Sequence, residues 1–70
     1  MKLSEEEKRE IIRKILSYEA RERLARIRLA KPEFAEKVEA LLIQLFISGK
    51  IKEQLSDEKF KDLLKKILGS

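Results

Sequence analysis

Ala40-Leu41-Leu42-Ile43-Gln44-Leu45-Phe46-Ile47 is apolar at every position but Gln44. A helix through this stretch makes about two turns and shows apolar side chains nearly all round, which suits a helix surrounded by others. It is therefore the expected centre of an all-α bundle. Upstream, Pro32 disfavours helix at Lys31 and fits the first turn of a new helix, with Glu33 and Glu36 at its positive end. Downstream, Gly49 follows Ser48 as a residue free to take positive φ, so the central helix is expected to end there.

The flanking segments have their own punctuation. Ser4 followed by Glu5, Glu6 and Glu7 has the pattern of a capping box, and Ile11, Ile12, Ile15 and Leu16 then form one apolar stripe. Ser17 is a second candidate N-cap, so a break is expected there. The next helix covers roughly Tyr18 to Arg28 with Ala20, Leu24 and Ile27 inward. Gly49 to Leu55 reads as a connector with Ile51 and Leu55 tucked beneath it. Ser56, Asp57 and Glu58 start a last helix, whose Phe60, Leu63, Leu64, Ile67 and Leu68 share one face. Gly69-Ser70 is expected to fray or to mark a segment boundary. The expectation is a compact right-handed three-helix bundle core over residues 17–70. An additional N-terminal helix over residues 1–16 is packed on it or loosely attached.

Composition narrows the function classes. The 70 residues contain no Cys and no His, which removes disulfides, thiolate metal sites and the commonest acid/base residue. Glycines stand only at positions 49 and 69, so no phosphate-cradling loop is present, and no Ser lies in an S-x-x-K or Gly-rich elbow pattern. The acidic residues do not alternate in a short loop as a calcium site requires. No enzyme, no cofactor, no metal and no small-molecule substrate are expected. No apolar run reaches the ~20 residues that span a bilayer, so a soluble, cytoplasmic, monomeric binding protein without a membrane partner is the default expectation.

Charge is polarised along the chain. Residues 1–16 carry a net +1, residues 17–31 +3, residues 32–49 −2 and residues 50–70 +2. A basic segment raises nucleic acid as a partner, although abundant Lys, Arg and Glu also fits an ion-pair-rich protein from a hot environment. Within Ser17–Pro32, Glu19–Arg23 and Glu22–Arg26 have the spacing of local ion pairs. Arg26, Arg28 and Lys31 also suit the negative helix end. Arg21 and Arg28 have no acidic residue four positions away. They fall within about 20° of each other around the helix and about 10 Å apart along it. Tyr18 and Ala25 flank them, giving a stripe suited to a phosphate backbone. Arg21, Arg28, Lys31, Arg23 and Tyr18 are the candidate DNA-contacting residues. Lys59, Lys61, Lys65 and Lys66 form a second basic group, read mainly as a solvated face because Asp57–Lys61 and Asp62–Lys66 are spaced as ion pairs. Ile43 and Ile47 widen the apolar surface of the central helix. The first helix is expected to cover them; left uncovered, they would make a patch for another protein.

The run Ala20-Arg21-Glu22-Arg23-Leu24-Ala25-Arg26-Ile27-Arg28-Leu29-Ala30-Lys31-Pro32-Glu33 resembles a signature of the programmed cell death protein 5 family. The likeness continues through Val38-Glu39, Leu42-Ile43-Gln44-Leu45, Gly49, Ile51 and the Ser56-Asp57-Glu58 helix. It implies a small helical bundle with a more mobile N-terminal helix, double-stranded-DNA binding as in archaeal members, and location at the nucleoid. For eukaryotic relatives it implies protein contacts, including chaperonin-related ones. It also implies longer chains with a charged N-terminal extension and a basic C-terminal tail, which this sequence is expected to lack. The resulting expectation is a DNA-binding protein making sequence-independent phosphate contacts. The alternative is a protein-interaction module acting on a chaperone or chaperonin.

Overall fold

A computed structural model describes residues 3–69, with Met1, Lys2 and Ser70 outside the described range. Its helices are α1 (Glu5–Ile15), α2 (Tyr18–Ala30), α3 (Pro32–Ile47) and α4 (Asp57–Gly69). The capping box at α1 is complete: the Glu7 amide donates to Ser4 Oγ (3.1 Å) and the Ser4 amide donates to Glu7 Oε1 (2.8 Å). That second bond holds the Glu7 carboxyl below its ordinary pKa. Leu16 is extended, and Ser17 then caps α2 by accepting from the Ala20 amide at 3.2 Å. The break expected at Ser17 is present because a second cap competes with continuation of the first helix.

α2 runs to Ala30, two residues beyond Arg28, and stops where Pro32 forces Lys31 out of helical geometry (φ −141°, ψ 78°). α3 ends in a Schellman arrangement. The Lys50 amide donates to the Leu45 carbonyl (2.9 Å) and the Gly49 amide to the Phe46 carbonyl (3.0 Å), with Gly49 at φ 74°. Ser56 precedes α4 and accepts from the Lys59 amide at 3.3 Å. Gly69 closes α4, whereas the fraying expected at Ser70 lies outside the described residues.

The helices form an all-α bundle in which α3 packs on α1 and α2, and α2 also packs on α4. Leu16, Val38, Leu42 and Phe60 are the largest fully buried side chains, joined by Ile15, Ala20, Leu24, Ala35 and Leu64. Each large apolar side chain buried in this way contributes roughly 1.5–3 kcal/mol. Ile51 and Leu55 pack against that cluster from the connector, as their spacing suggested. The connector is also tied by backbone. The Leu55 amide donates to the Ile15 carbonyl (2.7 Å) and the Ser17 amide donates to the Leu55 carbonyl (2.8 Å). This short parallel bridge anchors the α1–α2 break to the segment entering α4.

α3 is less enclosed than its apolar run suggests. Its Ala35, Val38, Leu42 and Ile43 are buried, but Ile47 is 67 % exposed and Phe46 lies at the surface. The bundle has too few helices to wrap the last turn of α3.

Candidate nucleic-acid interface

α1 rests on α3 rather than along α2, so the two N-terminal helices diverge from their buried junction at Ile15–Leu16. The divergence leaves a cleft of about 250 Å³ lined by Lys8, Arg9, Ile12 and Arg13 from α1, Arg21 and Arg28 from α2, and Glu5 and Glu39. Five cations thus face two carboxylates. Such a concave basic surface concentrates positive potential and attracts polyanions.

The pairing state of these cations differs from one to the next. Arg21 is half-buried, and its Nε is buried without a hydrogen-bond partner. A buried donor left unpaired is uncommon. Among the described residues Lys8, Arg9 and Arg21 have no carboxylate within 4.0 Å. Arg13 makes only an exposed 3.7 Å contact to Glu10, an interaction of little energetic weight. Arg28, which lacks a partner on its own helix, pairs with Glu39 of α3.

The other candidates from the sequence lie elsewhere. Tyr18 is 65 % exposed at the start of α2, outside the cleft lining. Lys31 is exposed at the α2–α3 corner, bordering an apolar groove formed by Ile27, Ala30, Phe34, Leu64 and Leu68. Arg23 binds Asp57 at the start of α4 through two hydrogen bonds, Nε to Oδ1 (2.7 Å) and Nη2 to Oδ2 (2.9 Å). That pair replaces both the Glu19–Arg23 and the Asp57–Lys61 pairings expected from spacing. A fork meeting a carboxylate in this manner is strong and directional. It holds the Asp57 carboxyl below the usual carboxylate range and raises the Arg23 guanidinium.

The cations of α1 were not among the sequence candidates. A signal for them exists, because Lys8 lies four residues before Ile12 and Arg13 directly after it. Positions bordering an apolar stripe fall beside whichever helix the stripe meets. The identity of that neighbour is a tertiary fact. Ile43 and Ile47 line a second, larger cleft with Leu3 and Ala40 on the far side of the Arg28–Glu39 pair. Ile43 is buried (8 % exposed) whereas Ile47 is not, so the cover expected over both reaches only one.

Among the described residues no group of three His, Cys, Asp or Glu is placed to hold a metal ion, and no helix is long and apolar enough to cross a membrane.

Residues 1–69 match the family described as double-stranded DNA-binding domain. A DNA-binding protein of Methanocaldococcus jannaschii is 61 % identical over 64 residues, covering 91 % of this chain and 59 % of that protein. One from Methanococcus maripaludis is 65 % identical over 57 residues, covering 81 % of this chain and 48 % of its own length. One from Pyrococcus abyssi is 54 % identical over 57 residues, covering 81 % and 50 %. The chain thus spans about half the length of the curated relatives it matches. With the fold and the match over residues 1–69 in hand, the chain belongs to the double-stranded DNA-binding domain family, the archaeal branch of the programmed cell death protein 5-like proteins.

Proposed function

We propose that this chain binds double-stranded DNA through the α1–α2 cleft, contacting phosphates rather than bases, and performs no catalysis. The observation that carries the reading is the cleft itself, where Arg21 is lined up with four further cations and, like Lys8 and Arg9, has no carboxylate partner among the described residues. A phosphate in the cleft meets the charged Arg21 guanidinium, and Lys8 and Arg9 supply charge from the opposite wall. Arginine and lysine clustered on a concave surface suit phosphate contacts, which position rather than specify. Tyr18 and Lys31, exposed at the two ends of α2, extend the contact surface beyond the cleft. Arg23 stays outside it, because Asp57 already occupies its fork.

The test is a duplex-DNA titration by fluorescence anisotropy at several salt concentrations. Each phosphate contact adds about 0.9 to the slope of log K against log salt, so Arg9→Gln with Arg21→Gln should reduce it by about 1.8. At 0.1 M salt the same two contacts correspond to about 60-fold in affinity. Binding that ignores salt, or a slope unchanged in the double variant, refutes the reading.

One observation favours a second, lesser reading. Ile47 is 67 % exposed at the end of α3, which suits docking of another protein there. Binding of that kind would tolerate salt and be lost on Ile47→Ser.

A further inference from the structure

We propose that Glu39 sets the DNA affinity of the α1–α2 cleft by withholding Arg28 from phosphate. The inference rests on the cleft being a phosphate site, and it adds a residue that opposes binding. Glu39 projects from α3, a different helix from either basic wall, and pairs with Arg28. The Arg28 side chain is 54 % exposed, so solvent and polyanions reach it, while the Glu39 side chain is only 20 % exposed. Both residues line the basic cleft and the adjoining Ile43–Ile47 cleft, so the pair stands on the ridge between them.

A guanidinium bonds carboxylate and phosphate alike. While Glu39 holds Nη2, a phosphate entering beside Arg28 finds that donor taken and a carboxylate charge next to it. The wild-type cleft therefore binds through Arg21, Lys8 and Arg9, with Arg28 in reserve. Glu36 provides an internal comparison. It lies one turn before Glu39 on α3, is exposed, and lines only the adjoining cleft, not the basic one.

Duplex affinity and salt slope should be measured for the wild type, Glu39→Gln, Glu39→Ala, Glu36→Gln, Arg28→Gln and the Arg28→Gln/Glu39→Gln double variant. Thermal melts by circular dichroism check that each is folded. Releasing Arg28 adds one phosphate contact, so both Glu39 variants should bind about eightfold more tightly at 0.1 M salt with a slope steeper by about 0.9. Glu36→Gln should change affinity less than twofold, a rough ceiling for a screened charge outside the cleft. The slope increase should vanish when Glu39→Gln is made on the Arg28→Gln background, so the double variant should bind with the slope of Arg28→Gln or less. As an independent readout, the Arg28 Nε–H NMR signal should move on adding duplex to Glu39→Gln but not to wild type. The inference is overturned if the gain persists without Arg28, if Glu36→Gln matches it, or if Glu39→Gln weakens binding. The last result would mean that the pair positions Arg28 for DNA. If neither wild type nor Glu39→Gln binds duplex, the phosphate reading itself fails. Wild-type binding with an unresponsive Glu39→Gln removes this inference alone.

Discussion

Where α2, α3 and α4 meet, the side chains exclude water: Leu24, Val38, Leu42 and Phe60 are buried with no charged group among them. Where α1 and α2 face each other, the lining is charged at every position but Ile12. The two regions share a boundary at Ile15–Leu16, which are buried while the first turns of α1 stand clear. The contrast assigns separate tasks. The dry region stabilises the domain, because apolar area removed from water is its main favourable term. The charged region contributes little to folding, since like charges repel and solvated pairs are weak. Its cations need another reason to be gathered there.

Substitutions at either region can break that division. The largest expected effect is Phe60→Ala, about 3–5 kcal/mol from lost transfer and a cavity. A domain of this size has roughly 4–10 kcal/mol in total, so denaturant melts should show the variant partly or wholly unfolded at 37 °C. A loss below about 1 kcal/mol would mean that Phe60 is not central to the core. The Arg9→Gln/Arg21→Gln variant should give the opposite profile: stability within about 0.5 kcal/mol of wild type, with the large affinity loss described above. If it unfolds the domain, the cleft cations are structural and the division collapses.

Gly49→Ala sharpens the same comparison at a position belonging to neither region. Nothing lies within 4 Å of an added Cβ, so the cost is purely conformational. Holding a non-glycine residue at φ 74° costs about 1–2 kcal/mol. Chemical denaturation should show that loss with DNA affinity unchanged.

The parts legible in sequence are those decided within a few residues. Ser4, Ser17, Pro32 and Gly49 mark their helix ends through hydrogen bonds or steric limits spanning three to five positions. Spacing of apolar residues likewise marks which face turns inward. What spacing does not carry is which helix lies opposite. Arg23 and Arg28 illustrate this. Local pairing assigned Arg23 to Glu19, but its partner Asp57 is 34 residues away. Arg28, unpaired by local rules, meets Glu39 from another helix. The basic cleft escapes sequence reasoning for the same reason, since three of its five cations come from α1. Arg21, without an acidic residue four positions away, has no carboxylate within 4.0 Å among the described residues either, so here local spacing and tertiary structure agree.

The Arg23–Asp57 pair gives the subtlest test, because it carries charge yet belongs to the structural side of the comparison. It joins α2 to the first turn of α4, where Asp57 also sits at the positive end of the helix. The hydrogen bonds from Arg23 lower the Asp57 pKa in the folded state. A carboxyl with a depressed folded pKa contributes stability that is present above its unfolded value, about 3.9. That contribution is lost as pH falls through the lower folded value. Wild type should therefore melt at a higher temperature than Asp57→Asn at pH 6, with the difference shrinking as pH drops below about 4. Arg23→Gln should show the same convergence, and adding it to Asp57→Asn should cost little more, because the two side chains act as one unit. A gap between wild type and Asp57→Asn that stays constant down to pH 2 would mean that the pair contributes nothing through charge. Arg23 would then be as available to an incoming phosphate as Arg21, and the line between structural and binding arginines on α2 would have to be redrawn.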